Sequence, residues 1–399
     1  MPPPALVRPR PVHRAADLLA AYLPGSFYFA SARGSLLADG VHTTVRAGHG
    51  ARARAAAEVL DAAAVGGVDE PLVVGAIGFR PDAEASLVVP ALVRRAGANT
   101  AVDVPVTPFG STRWSITPRP EPEVYADGVR EALELIGGGE LAKVVLARCL
   151  ELVAGDPVSV PSLLARLVRA DPAAHAFAVD VSAPGDPAPR TLVGASPELL
   201  LSRRGAVVTS NPLAGSRPRV ADEAENRRRV AELLASEKDR HEHAHVAAQV
   251  AEVLGGFCAD LDVPAEPVVI GTPTMWHLST RITGRLADPT DPGSSSLALA
   301  EALHPTPAVC GVPVGRARDA IAGLEPEDRG YYSGLVGWTG LEGDGEWVVT
   351  IRSAEVCDRT VRLFAGAGVV AGSDPAAELA ETSAKFRTLL RALGLEGAA

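Results

Sequence analysis

The sequence predicts an α+β fold with mainly antiparallel sheets, and three observations predict it. Strand-like and helix-like segments mix along the 399 residues without the regular βαβ alternation of a doubly wound fold. Short β-branched runs dominate from about residue 140 onward. The chain is 47% hydrophobic and only 22% charged, enough apolar matter for a large core and too little charge for a disordered chain.

In chain order, residues 1–15 are rich in Pro and Arg and read as loose. A first block, 16–120, carries an Ala-rich helix over Ala51–Ala64 and strands at Phe27–Ala30 and Pro71–Phe79. The RPEPE stretch near Pro118–Glu123 reads as an exposed linker into a helix, Val124–Ile136, stopped by Gly137-Gly138-Gly139. Strands follow at Lys143–Leu152, Ala174–Val181, Thr191–Leu201 and Ala206–Ser210. One long helix is expected over Asp222–Leu254, with Val230, Leu233, Val246 and Val250 on one side. Then come strands Val268–Ile270 and His277–Leu286, a helix Ser294–Leu303, strands Gly334–Trp338, Trp347–Val356 and Val361–Val370, and a final helix Pro375–Leu393.

Charge narrows the function classes. There are 38 basic and 48 acidic residues, a net charge of −10, and no basic block, which argues against nucleic acid or an anionic membrane as partner. The four cysteines are scattered without a CxxC, so neither a disulfide framework nor a zinc knuckle is indicated. The first residues lack the apolar run of a signal peptide and no segment is long and apolar enough to span a bilayer, so a cytoplasmic protein is expected. Only three of the basic residues are lysines: Lys143, Lys238 and Lys385. The bias toward arginine fits a GC-rich coding genome. Against it each lysine is a marker, because lysine can lose its proton when buried and arginine does not.

Chemistry-bearing patterns stand near those markers. Glu378, Glu381 and Lys385 share one face of the last helix by spacing, either as a solvated ion-paired face or as part of a site. Asp239 and Glu242 form a second i, i+3 acidic pair. Two such pairs on separate helices suit an oxygen-coordinated divalent ion such as Mg²⁺. His241 and His245 share a face, but without HExxH or a third ligand zinc is not favoured, and they read with His243 as surface or supporting polar groups. Lys143 opens the apolar run KVVLARCLEL, either as a strand-end lysine reaching water or as a buried general base. Glu198 in GASPELLL is either a satisfied structural acid or a general acid of raised pKa. The glycines of GAGVVAG, 366–372, lack dinucleotide-loop spacing and read as a turn whose amides could meet a carboxylate. Neither a phosphate-binding P-loop nor a GxSxG nucleophile elbow is present.

Taken together, KVVLAR (143–148), GASPELLL (194–201), NPLAGSRPR (211–219), SEKDRHEH (236–243), MWHLSTRI (275–282), HPTPAVCG (304–311), RGYYSG (329–334), VVTIRSAEV (348–356) and GAGVVAGSDPAAELAETSAK (366–385) resemble the chorismate-utilising enzymes. That family holds isochorismate synthases, salicylate synthases, and the synthase subunits for anthranilate and aminodeoxychorismate. The resemblance covers the chain from about 140 onward in order. The N-terminal block, with SFYFASARGSLL and VVGAIGFRP, looks most like siderophore-type isochorismate synthases.

The resemblance implies a single large duplicated domain over 16–395, with its motifs in 121–395. Two antiparallel sheets would pack between helices in α/β/β/α layers, as in anthranilate synthase component I. It implies Mg²⁺ held by Glu242 and Glu381, with Asp239 and Glu378 acting through water. Arg352, Lys385, Tyr332 and the amides around Gly366 and Gly368 would hold the carboxylates of chorismate. Gly215, Ser216, His277 and Ala308 would line the pocket. Members that add water at C2 carry lysine where this chain has Lys143, while ammonia-using members carry glutamine. Aminodeoxychorismate enzymes carry a lysine nucleophile where this chain has Ala214. Salicylate synthases tend to have threonine at the place of Ala308. The expectation is therefore an isochorismate synthase with Lys143 as base and Glu198 as acid, with salicylate synthase as the alternative. A monomer with no glutamine amidotransferase partner is expected.

Overall fold

The computed structural model describes residues 14–83, 85–99 and 113–395. The segment expected to be loose therefore lies outside the described residues, except Arg14 and Ala15, and Ala15 already opens helix Ala15–Ala20. Among the described residues the strands form sheets of ten, nine and three, and every pairing is antiparallel. The fold is α+β, as the sequence predicts.

The ten-stranded sheet runs Gly311–Val312, Lys143–Ala154, Thr360–Val370, Ser353–Cys357, Arg190–Ser196, His175–Asp180, Phe27–Ser31, Gly34–Asp39, Leu92–Ala96, with Trp114–Arg119 also paired to Lys143–Ala154. The nine-stranded sheet runs Cys258–Asp262, Ile282–Leu286, Val207–Asn211, Leu199–Arg204, Gly345–Val349, Leu335–Gly340, Leu72–Ile77, Ala85–Val89, Thr43–Thr44. Leu213–Pro218, Met275–Ser279 and Val268–Gly271 make the small sheet.

Side-chain alternation sorts the core into layers. Successive residues of a strand point to opposite faces. Phe27 and Phe29 face the layer between the two large sheets, with Leu72, Val74, Phe177 and Val348. Tyr28 and Ala30 face the other way, against Leu163, Leu167, Phe386 and Leu390 of helices Val160–Ala170 and Pro375–Leu393. Val73 and Trp347 likewise face helices Arg52–Val65, Glu237–Gly255 and Ser296–Leu303 on the outside of the second sheet. The layers are helix, sheet, sheet, helix. Strands covered on both faces explain why their sequences read as continuous apolar runs and not as strict alternation.

Most expected elements are present, including the last helix with the bounds Pro375–Leu393, set by Pro375 at its start and a left-handed Gly394 (φ 80°) at its end. Three expected strands are each two strands in different sheets. Thr191–Leu201 breaks because Pro197 has no N–H and the Glu198 N–H donates to Ser196 Oγ at 3.2 Å, so the ladder cannot continue. His277–Leu286 breaks at Thr280-Arg281, between the small sheet and the nine-stranded one. Trp347–Val356 breaks where Arg352 adopts a positive φ of 53°, which no ladder accommodates. The single helix expected over Asp222–Leu254 is two, Glu223–Ala235 and Glu237–Gly255. Ser236 leaves helical geometry (ψ 110°) and its Oγ caps the second helix by accepting from the Asp239 N–H at 3.2 Å. The expected linker is shorter than RPEPE: strand Trp114–Arg119 and helix Pro122–Gly137 leave only Pro120 and Glu121 between them.

Candidate active site

The sheet crossings deliver side chains to one cavity. Glu198 enters it from the first crossing and Arg352 from the third. Gly215, Ser216 and His277 come from the small sheet, Gly366 and Gly368 from strand Thr360–Val370, and Glu381 and Lys385 from the last helix. Glu242 comes from helix Glu237–Gly255, and Ala308 and Tyr332 from connecting turns. Twelve of the fifteen residues singled out in the sequence therefore line one space. Lys143, Asp239 and Glu378 do not, and each stands behind a residue that does.

Lys143 is fully buried, with its Nζ 2.9 Å from Glu242 Oε1 and, among the described residues, no hydrogen-bond acceptor in bonding geometry. Gly368 makes this possible. A Cβ there would sit 2.2 Å from Glu242 Oε1 and 3.2 Å from Lys143 Cε, so any side chain would expel the carboxylate. Gly215 is required for another reason: it has φ +72° at a register shift between strands Leu213–Pro218 and Met275–Ser279.

The charged groups are distributed in pairs. Glu381 accepts from Ser216 Oγ at 2.9 Å and lies 2.7 Å from Lys385 Nζ. Burial alone would raise its carboxyl, but these two partners and the more distant Lys238 outweigh burial and bring it down to about 2. Lys385 also donates to the Gly366 carbonyl at 2.7 Å. Lys238 donates to Glu378 at 2.7 Å, tying the two acidic helices together, while burial and the neighbouring Glu381 push the Glu378 carboxyl up. Asp239 accepts from Arg217 at 2.6 Å. The four acids thus separate into two that face the cavity, Glu242 and Glu381, and two held by cations behind it. Among the described residues no three His, Cys, Asp or Glu side chains converge as a preformed metal centre.

The remaining groups are tuned by burial. Glu198 is 2% exposed, and burial raises its carboxyl to about 7 against the opposing pull of the Leu213 N–H, Lys143 and Lys385. Such a group holds a proton near neutrality and can donate it. Burial lowers His277 to about 3, so it is neutral, with its Nε2 unpartnered among the described residues. Burial likewise lowers Arg352 to about 10, leaving it charged; its Nη1 donates to the Lys385 carbonyl at 3.1 Å. Tyr332 stacks on Phe364, with ring centroids 5.2 Å apart at 16°.

Phe364 escaped the sequence reading although it shares a strand face with Gly366 and Gly368. The period of two would have found it. Arg217 escaped as well, because its role appears only when Asp239 is brought beside it. The three histidines of HEHAH are no metal cluster: His243 is buried, bonded to Thr280 Oγ1 at 2.7 Å, and His241 and His245 lie Nε2 to Nε2 at 3.1 Å.

Comparison with known proteins agrees with this geometry. Residues 81–394 match the family described as chorismate binding enzyme. The chain is 49% identical to isochorismate synthase DhbC of Bacillus subtilis, over 96% of this chain and 97% of that protein. It is 41% identical to the vibriobactin-specific isochorismate synthase of Vibrio cholerae, over 93% and 92%. The solved structure of DhbC from Bacillus anthracis superposes with a TM-score of 0.90 at 46% identity, covering 95% of this chain and 99% of that one. Anthranilate synthase component I from Streptococcus pneumoniae, 19% identical with a TM-score of 0.68 over 92% and 93%, shares the fold. With a matched family spanning most of its length and relatives this similar, the chain belongs to the chorismate-binding enzymes.

Proposed function

We propose that the protein is an isochorismate synthase: it converts chorismate to isochorismate by adding water at C2 with loss of the C4 hydroxyl. The observation that carries this reading is a buried glutamic acid of raised pKa in the cavity wall, with a buried lysine directly behind Glu242 of the same wall, in a chain 49% identical to DhbC. Lys143 is the base that takes a proton from water as the oxygen adds to C2. Glu198 gives its proton to the C4 hydroxyl as that group departs and the double bonds shift. Water enters and water leaves, so the step is an isomerisation and reversible. Arg352 and Lys385 hold the substrate carboxylates, and Tyr332 with Phe364 forms an apolar wall beside the ring.

Glu242 and Glu381 fit a divalent ion such as Mg²⁺. Both are carboxylates on the same cavity, the donor set is oxygen only, and Mg²⁺ is typically bound by one or two carboxylates, water and a ligand anion. Such an ion would fix the ring carboxylate of the substrate and draw electron density from the diene. Asp239 and Glu378 would support the two ligands through water. We read the protein as cytoplasmic and monomeric with no amidotransferase partner, and the relative described as 2,3-dihydroxybenzoate-specific favours a 2,3-dihydroxybenzoate pathway. Among the described residues no helix is long and apolar enough to cross a membrane.

Incubation with chorismate and Mg²⁺ tests the reading by product analysis. Isochorismate without free pyruvate is the expected result. Equal amounts of salicylate and pyruvate would replace it with salicylate synthase, and chorismate recovered intact would refute both.

A further inference from the structure

A second cavity lies beside the first, between helix Val160–Ala170, the turn Thr272–Thr274 and the last turns of helix Pro375–Leu393. The two share wall residues Pro197 and Arg352. Glu198, His277 and Arg352 are each less than a tenth exposed, so this wall of the first cavity is shielded from bulk water. Side-chain hydrogen bonds run along the wall between the two. Arg352 Nη1 reaches Thr388 Oγ1 at 3.4 Å, and Thr388 Oγ1 meets Thr274 Oγ1 at 3.1 Å. Side-chain hydrogen bonds between hydroxyls reopen by rotamer change, which a sheet ladder does not.

The charge of the second cavity is opposite to that of the molecule. Its walls are mostly apolar, and they carry Arg166, Arg352 and Arg391 against a single acid, Asp171, in a protein of net charge −10. Arg391 is exposed and makes no ion pair among the described residues. Low-dielectric walls with charge of one sign focus the field and raise the local concentration of an oppositely charged ligand.

We propose that this second cavity is the vestibule through which a dicarboxylate substrate reaches the active site, drawn in past Arg391 and Arg166 and received by Arg352 at the partition. The inference rests on the reading that the first cavity binds chorismate, a dianion.

The test is steady-state kinetics of the Mg²⁺-loaded full chain across ionic strength, with three variants. Arg391→Glu is expected to lower kcat/KM about tenfold at low salt with kcat within twofold of wild type, the deficit shrinking below twofold at 0.5 M salt as charges are screened. Ala170→Trp, which fills the vestibule far from the reacting groups, should lower kcat/KM about tenfold at every salt concentration with kcat and the melting temperature unchanged. Arg54→Glu makes the same change in net charge at an exposed position of helix Arg52–Val65 and should leave kcat/KM as in wild type. If Arg391→Glu behaves as Arg54→Glu and Ala170→Trp keeps wild-type kcat/KM, the vestibule is refuted while the active-site reading stands. A wild-type protein that neither binds nor converts chorismate overturns both.

Discussion

Glu198 shows how the site sets function against stability within one side chain. Burial lifts its carboxyl from the ordinary 4.5 to about 7. The folded state therefore keeps a proton that the unfolded chain releases between those two values. Native stability falls as pH rises through that window and stays reduced above it, by about 3 kcal/mol at 1.4 kcal/mol per pH unit. Glu198→Gln removes the titration and keeps the shape. It is expected to raise the melting temperature at pH 8, to leave it nearly unchanged at pH 4.5, and to lower kcat at least a hundredfold. In the parent enzyme kcat/KM should fall as pH rises through about 7, where the acid loses its proton. Differential scanning calorimetry and pH–rate profiles read both effects; an unaltered kcat in the variant would remove Glu198 from the reaction. At this scale the sequence was informative where chemistry contradicts its surroundings. A lysine and a glutamate inside apolar strands, and two i, i+3 acid pairs, are visible without coordinates. Lys238 was visible only as an oddity, because its partner Glu378 lies 140 residues away on another helix.

Ser236 carries the argument for the elements. Periodicity continues through it, so the sequence reads as one helix over Asp222–Leu254. The break depends on one hydroxyl accepting from the Asp239 N–H, an interaction that leaves no trace in the hydrophobic pattern. That cap also starts the helix that presents Asp239 and Glu242. Ser236→Ala should cost about 1 kcal/mol of stability and raise the Mg²⁺ concentration needed for half-maximal activity, because the first turn, which holds Asp239 and leads into Glu242, frays. Ser236→Asp, also a good cap, should restore both in urea titrations and metal-dependence curves. If the alanine variant matches wild type in both, the cap is dispensable. The three split strands teach the same lesson. Pro197 is a break that could be read from sequence, whereas the positive φ of Arg352 cannot be inferred from an arginine. Two of the three breaks hold a residue of the cavity, so local patterning failed at functional positions, where the chain departs from regular structure to place a side chain.

For the molecule as a whole, the fold class was readable but the strand order was not, since pairing joins segments far apart in sequence. Phe27–Ser31 lies against His175–Asp180, and Leu72–Ile77 against Leu335–Gly340. The N-terminal strands thus complete both large sheets, and they also supply Phe27, Phe29, Leu72 and Val74 to the layer between them. The chain further passes from one large sheet to the other at Pro197-Glu198 and at Thr350–Arg352. Neither sheet can lose its inner face without exposing the other. We therefore propose that 16–395 is one folding unit and not an N-terminal part joined to a motif-bearing part. Phe177, fully buried between the sheets, is the residue to test it with. Phe177→Ala should cost about 3–5 kcal/mol through lost burial and the cavity left behind. If the unit is single, that cost moves the entire unfolding curve. Tryptophan fluorescence, to which Trp338 and Trp347 of the nine-stranded sheet contribute, and far-ultraviolet circular dichroism should shift together and keep coincident midpoints. Two separated transitions, with only one displaced by the substitution, would show instead that the two parts fold independently and that the inter-sheet layer joins preformed halves.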